Sequence, residues 1–587
     1  MNRKKTVWTC ILPILLLAVV IPAWGDEQEE DPDRYEESLE VRIREVEVFV
    51  TDKKGNTVKG LSKDDFKLFE NKIPLEIRNF YAVEGGLRVD AGPGDPSLLD
   101  ELPETTPPTA ATVRPPLSLI IYVDNYNLRP FSRNRIFDSL KSNLDSLVTG
   151  DDRVMVVSFD RGLVVRQPFT TDMALVRAAL EETEQVSAQL NYLDGERRDL
   201  LSEIDGSDSL FLESLVGRVE AYADNVEQDV KYTLGALKYF VGALAGIHGR
   251  KGLLYVSDGL PMVAGEEMFY ALEEKLDKSS AESGSAVGSR GQGLFLRSTS
   301  HDATRLFDDL TAYASANRVI FYTVDAGGLH QGGGGPGSVD VANRGTSFTS
   351  SIGTIARQNL QASLKYMAKQ TGGLSFTNTN NFDRALELVF ADMDAYYSLG
   401  YKPIYSADNP YYKIKVKAKG RGLKTRYRRI SMHKGTGEEM VDGIRATLLF
   451  GQADNAFDVR MAFGDAEQVG DDDYLVPAVV AVPMESVFFT PGEGYHEARL
   501  NLSVAARDDR GWMTTVNEMP VPPPIRVADV NLEEARAGVF FYKMKLAMKG
   551  GDYTVAIGVR DENTAIAAFG TASVVLGEAG EASGGQE

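Results

Sequence analysis

Apolar residues fall into two kinds of run along this chain. Short, nearly unbroken ones occur at Leu117-Ser-Leu-Ile-Ile-Tyr-Val123, Val154-Met-Val-Val-Ser-Phe159, Leu253-Leu-Tyr-Val-Ser257 and Val319-Ile-Phe-Tyr-Thr-Val324. Strands covered on both faces read this way, because they have no solvated side to keep polar. Between them the apolar positions step by three and four, as in Ile136, Leu140, Leu144 and Leu147, which predicts a helix over about 132–147. Further helices are expected near 265–278, 355–369 and 381–394, with a short strand at Leu374-Ser-Phe376 and an antiparallel edge strand at Leu163-Val-Val-Arg-Gln-Pro168. Strands alternating with helices predict an α/β domain over 117–402, built on a doubly wound, mainly parallel sheet. An insertion at about 173–247 carries the longest stripe: Leu212, Leu215, Val219, Tyr222, Val226, Val230, Leu234 and Leu237. It reads as a helical hairpin projecting from the domain, its second helix capped at Ser209 and packed by its stripe on the first.

Strict alternation marks the flanks. Val41-Arg-Ile-Arg-Glu-Val-Glu-Val-Phe-Val50 opens a β unit over 40–89, and a Pro/Gly/Thr-rich linker follows at 90–116. After the α/β domain, residues 403–432 form a hairpin with Ile414, Val416 and Ala418 on one face and Lys413, Lys415, Lys417 and Lys419 on the other. Residues 41–50 and 413–428 are each too short to bury a core alone, so the hairpin is expected to complete the amino-terminal β unit. Alternating strands such as Ala498–Val504 and Tyr553–Val559 predict a β-sandwich over 444–577, and residues 578–587 form a Gly/Glu-rich tail.

The amino terminus adds an address. Arg3, Lys4 and Lys5 precede an apolar run from Ile11 to Ile21, and Ala23-Trp24-Gly25 is a small-residue cleavage site. Residues 1–25 therefore read as a signal peptide, with an acidic disordered segment at 26–39 behind it. The chain is expected to be exported, periplasmic or secreted, with no transmembrane segment in its mature part. Cys10 is the only cysteine and lies inside that signal, which excludes disulfides, thiol catalysis and Cys-ligated zinc from the mature chain. A formal charge of −22 argues against nucleic acid as a partner. The four outward lysines are the exception, either a solvated strand face or a docking surface for an anionic partner.

Candidate chemistry concentrates where strands end. Asp124 follows the Leu117–Val123 run and Asp258 follows Leu253–Ser257, and open α/β sheets build ligand crevices outside such carboxyl ends. Enzymatic motifs are missing: there is no His-Glu-x-x-His, no Gly-x-Ser-x-Gly elbow and no Walker loop, although Gly332 to Gly335 lie in a row. His248, His301, His330, His433 and His496 are scattered. A non-enzymatic protein is expected.

Four blocks in order resemble the bacterial VWFA-related proteins of the von Willebrand factor type A domain family: Val48–Asn71, Gly249-Arg-Lys-Gly-Leu-Leu-Tyr-Val-Ser-Asp-Gly259, Tyr396-Tyr-Ser-Leu-Gly-Tyr-Lys-Pro403 and the basic hairpin. The likeness covers about 40–430. It implies a von Willebrand A fold and a metal-ion-dependent adhesion site, in which Mg2+ is held by Asp-x-Ser-x-Ser, a Thr and a distant Asp. Asp124 matches the first Asp, Asp258 the last and Thr233 the Thr, but Tyr126 and Leu128 replace both serines. Asn127 is the nearest substitute, through an amide oxygen after a loop shift. The site is thus expected to be degenerate, with Asp124→Ala neutral or stabilising because it relieves repulsion between two carboxylates. The expected function is a protein-interaction or adhesion module for an unidentified protein ligand; the alternative is a metal-independent scaffold protein of the cell envelope.

Overall fold

The computed structural model describes residues 43–577 except 85–86, 90–116, 149, 187–189, 209–210, 248, 283–293, 295, 330–349, 405–409, 452–454, 456 and 520–523. The signal peptide, the acidic segment, the linker and the tail all lie outside the described residues, as does Ser209. Among the described residues no helix is long and apolar enough to cross a membrane. The chain divides into two compact units, residues 39–241 with 249–433, and residues 242–248 with 434–587.

In the first unit the amino-terminal strands are β1 (Arg44–Thr51), β2 (Phe66–Glu70), β3 (Ile73–Leu75), β4 (Asn79–Glu84) and β5 (Leu87–Val89). The α/β part then runs through β6 (Ser118–Val123), α1 (Pro130–Leu147), β7 (Arg153–Phe159), β8 (Leu163–Thr170), α2 (Met173–Gln185), α3 (Leu190–Gly206) and α4 (Leu212–Ala243). It continues with β9 (Lys251–Ser257), α5 (Glu266–Glu282), α6 (Thr304–Ala316), β10 (Val319–Asp325), α7 (Ser350–Thr371), β11 (Ser375–Phe376) and α8 (Phe382–Asp394). Its six-stranded sheet has the order β11-β10-β9-β6-β7-β8, parallel except for the edge strand β8. Every residue of β6, β9 and β10 is buried, which is why their sequences show no alternation. This is a mixed α/β architecture with a mixed sheet and several antiparallel ones.

Two boundaries differ from the sequence reading. Residues 396–401 do not close the α/β domain but form β12 (Tyr396–Tyr401), a central strand between β1 and β4. With β13 (Tyr411–Ala418), β14 (Lys424–Tyr427) and β15 (Ile430–Met432) the chain makes two antiparallel sheets, β14-β1-β12-β4-β5 and β15-β13-β2-β3. Val46, Val48, Leu68, Leu399, Ile414 and Val416 share one core there, so the segments before and after the α/β part are one module. The insertion also departs from a projecting hairpin. Helix α2 packs into the main core through Met173, Val176 and Leu180. The first half of the α4 stripe, Leu212, Leu215, Val219 and Tyr222, is buried together with Leu201 of α3, with Met268, Phe269 and Leu272 of α5, and with Ile352 of α7. A stripe this long needs more cover than one neighbouring helix supplies.

In the second unit the expected start of the sandwich at 444 is occupied by a helix, α9 (Thr436–Phe450), ended by Gly451 in the left-handed region at φ 70°. The strands begin at β16 (Arg460–Phe463), followed by β17 (Asp473–Pro483), β18 (Leu500–Asp508), β19 (Val539–Lys549), β20 (Gly551–Asp561) and β21 (Ala567–Leu576). Strands β16, β17 and β19 form one antiparallel sheet and β18, β20 and β21 another. Val480 and Leu546 from the first meet Leu502 and Ile557 from the second in a common core. Ile444 and Leu448 of α9 cover Ala505 and Ala556 on the outer face of the second sheet.

Candidate functional site

Strands β6 and β9 are neighbours at the middle of the parallel sheet, with Val123 opposite Val256. Asp124 and Asp258 therefore leave the same carboxyl edge side by side. The two loops are also tied by backbone: Asp124 N–H donates to the Val256 carbonyl at 3.0 Å, and Asp258 N–H to the Asn127 carbonyl at 3.1 Å. Gly259 lets the chain turn sharply here. Its φ is +95°, and a Cβ at this position would lie 2.5 Å from the Leu360 carbonyl oxygen.

Asp124 is fully buried and surrounded by donors. Its Oδ2 accepts from the Tyr255 hydroxyl at 2.5 Å and the Ser257 hydroxyl at 3.1 Å. The Asn127 amide Nδ2 donates to both Asp124 oxygens at 3.0 Å and to Thr233 Oγ1 at 3.2 Å. Three acceptors around one amide end fix its orientation, since a flip would set the amide oxygen against the carboxylate. Burial pushes the Asp124 carboxyl up to about 6, against the pull of Tyr255, Asn127 and Ser257.

Asp258 meets a cation instead. Arg129 is the N-cap residue of α1, and both its backbone N–H, at 3.2 Å, and its Nη1, at 3.0 Å, reach Asp258 Oδ2. The other edge of the guanidinium grips Asp194 of α3 in a two-pronged pair, at 2.9 and 2.8 Å. Asp258 Oδ1 is buried with no hydrogen-bond partner among the described residues. Burial pushes Asp258 up to about 7; Arg129 opposes the rise and Asp325 adds to it. Burial disfavours the charged Arg129, but Asp258 and Asp194 outweigh it and shift the guanidinium upward. Arg129 stays a fixed cation between two acids.

The sequence-derived positions sort as follows. Asp124, Asn127 and Thr233 form one buried network, and Asp258 lies in the adjoining loop. Leu128 is buried in the main core. Tyr126 packs against Phe159 and Tyr232, and its hydroxyl donates to Asp229 at 3.0 Å. Lys413, Lys415 and Lys417 line the exposed face of β13 and Lys419 lies just past its end, all well separated in sequence and sheet from the aspartates. Arg129, Asp194, Tyr255 and Ser257 were missed. Only Arg129, one residue beyond the expected third motif position, could have been flagged by its place in the loop.

This donor set does not suit Mg2+, which demands near-ideal octahedral oxygen coordination. Asn127 presents its nitrogen rather than its oxygen, Tyr126 and Leu128 face other partners, and a guanidinium already lies against Asp258. Repulsion between Asp124 and Asp258 is likewise absent as a dominant effect, because each carboxylate has its own donors. Beside Arg129 a cleft of about 90 Å³ opens, lined also by Asp194, Arg197, Glu267, Pro261 and Asn359. Arg197 and Glu267 pair across it at 3.1 Å. It lies outside the carboxyl ends of the strands, where α/β sheets place their ligands.

No family model and no curated protein matches the chain. Among solved structures, it is similar to an aerotolerance-related membrane protein from Bacteroides fragilis, at 12% identity over 47% of this chain and 98% of that one, with a TM-score of 0.24. A conserved hypothetical protein BatB from Bacteroides thetaiotaomicron matches over the same shares at 12% identity, with a TM-score of 0.23. Three N-terminal domains of the type V pili tip protein Mfa5 from Porphyromonas gingivalis match at 8% identity over 78% of this chain and 70% of that one, with a TM-score of 0.21.

Proposed function

We propose that the chain is an exported, non-enzymatic protein-interaction module of von Willebrand A type, whose recognition cleft is centred on Arg129 in place of a metal ion. The observation that supports this reading is the buried guanidinium held between Asp258 and Asp194 at the carboxyl edge of the two central strands. A cation fixed at that point offers what a metal would offer, a charge aimed at an incoming acid, without the octahedron of oxygens. Asp194, with 20% of its side chain exposed, is the more accessible of the two carboxylates on Arg129. A partner's carboxylate would take the place of Asp194, and the α3 segment would yield to let it in.

Capture of partner proteins from an envelope extract tests this. Asp194→Asn should raise the capture of a defined partner, because it frees one edge of Arg129, while added Mg2+ should leave capture unchanged. Capture that EDTA abolishes and Mg2+ restores contradicts the reading. A scaffold role is the second reading, favoured by the network of Asp124, Asn127, Thr233, Tyr255 and Ser257, which satisfies itself internally. Absence of any partner for wild type and Asp194→Asn alike would favour it.

A further inference from the structure

We infer that Asp224, Glu227 and His301 form a binding site for a zinc-like divalent cation, separate from the aspartate edge. Asp224 and Glu227 stand three residues apart on α4, so their side chains project from one face of the helix. His301 ends the single turn Thr299–His301 and brings Nδ1 to 3.2 Å from Glu227 Oε2 and 3.6 Å from Asp224 Oδ1. The candidate ligand atoms all lie within 4.8 Å of one another.

Two observations raise this above an acidic patch. The histidine is only 8% exposed, and among the described residues its Nδ1 has no polar partner but these two carboxylates. The ring is also held in place: it stacks on Phe269 at 6.0 Å and 26°, and the His301 carbonyl accepts from Ala264 N–H at 3.1 Å. The spacing fits a particular ion. Zinc binds imidazole nitrogen and carboxylate oxygen at about 2.0–2.2 Å, so the edge of its tetrahedron is about 3.3 Å, close to both separations. One nitrogen with two carboxylate oxygens suits a borderline cation better than Mg2+ or Ca2+. Three protein ligands leave the fourth position for water, on the open side where Asp224 is 69% exposed. Lys231 pairs with Glu227 Oε1 at 2.6 Å, leaving Oε2 to the ion and orienting the carboxylate from behind.

A cation here would act as a staple. It joins α4 to the segment whose neighbour Ala303 donates to the Met262 carbonyl at 2.8 Å, in the loop that follows Asp258. That loop walls the Arg129 cleft through Pro261.

The test uses the full chain, stripped of metal and titrated with Zn2+ by calorimetry, and with Co2+, whose visible absorption becomes intense in tetrahedral coordination. The expected result is one Zn2+ per chain, an intense Co2+ spectrum and a rise in melting temperature. Asp224→Asn, at an exposed position, should keep the fold and weaken zinc at least tenfold; Glu227→Gln should do the same. His301→Ala should abolish the Co2+ spectrum. No binding at micromolar zinc, or binding that Asp224→Asn and Glu227→Gln both leave unmoved, overturns the inference. Neither variant touches Arg129, so failure here leaves the cleft reading standing.

Discussion

Asp124 and Asp258 are both buried carboxylates, yet they are held by different means, and the difference can be measured. Asp124 is held by neutral donors, with burial raising it to about 6. Its removal takes one acceptor from the Tyr255 hydroxyl and two of three from the Asn127 amide, both inside the protein. Asp124→Ala should therefore destabilise by about 2–3 kcal/mol when urea unfolding is followed below the carboxyl's own titration. Equal or greater stability of the variant there would mean that the Tyr255 and Asn127 donors are satisfied without Asp124. Asp258 titrates over a wider window. Its folded-state value of about 7 lies above the ordinary 3.8, so the folded chain binds more protons than the unfolded chain between those limits. Stability contributed by this group is thus present at low pH and falls as pH rises from about 4 to about 7. Each unit corresponds to about 1.4 kcal/mol, so the span is on the order of 4 kcal/mol. Asp258→Asn lacks that titration and should gain on wild type across the same window. A stability difference that stays flat with pH would show that Asp258 remains ionised throughout, locked to Arg129.

At the scale of elements, local turns and long stripes decide where these side chains point. Gly259→Ala puts a methyl against the Leu360 carbonyl at a backbone angle that disfavours any side chain. It should lower the melting temperature clearly more than Gly217→Ala, where a Cβ meets nothing within 4 Å; equal effects would mean the turn is not strained. Leu201→Ala in α3 should cost about 2–5 kcal/mol, because Leu201 is buried among α4 and α5 side chains rather than in a free hairpin. Loss confined to local hydrogen exchange in α3 and α4, with global unfolding unchanged, would restore the projecting hairpin. Much at this scale could be read from the chain. Unbroken apolar runs correspond to β6, β7, β9 and β10, and the alternation at 413–418 to β13 with its lysines outward. The rest was hidden for a physical reason. The Arg129–Asp194 pair joins residues 65 apart in sequence, and nothing periodic announces it. Tyr126 and Leu128 showed that the expected hydroxyls are gone, but not that a neighbouring guanidinium and an inverted Asn127 amide fill the site. Near residue 444, apolar residues that suggested a strand are the inner face of α9.

The whole molecule is organised by chain return. Strand β14 pairs with β1 and β13 with β2, so a module opened before residue 85 is completed only after residue 410. A chain ending at residue 403 should lose this module, exposing Val48 and Leu68 and baring two strand edges; limited proteolysis would then cleave within 44–84. Resistance of that segment in the truncated chain would mean it folds alone. The α/β part thus hangs between the two halves of a β module, with its cleft at the free carboxyl edge of the sheet. The central claim is that Arg129 has replaced a divalent ion at this edge, and thermal unfolding of the full-length protein with millimolar Mg2+ tests it most directly. A ligand at 100 times its dissociation constant would stabilise by about 2.7 kcal/mol, a shift that is readily seen. The account predicts an unchanged melting temperature; a rise of several degrees that Asp124→Asn or Asp258→Asn abolishes would contradict it.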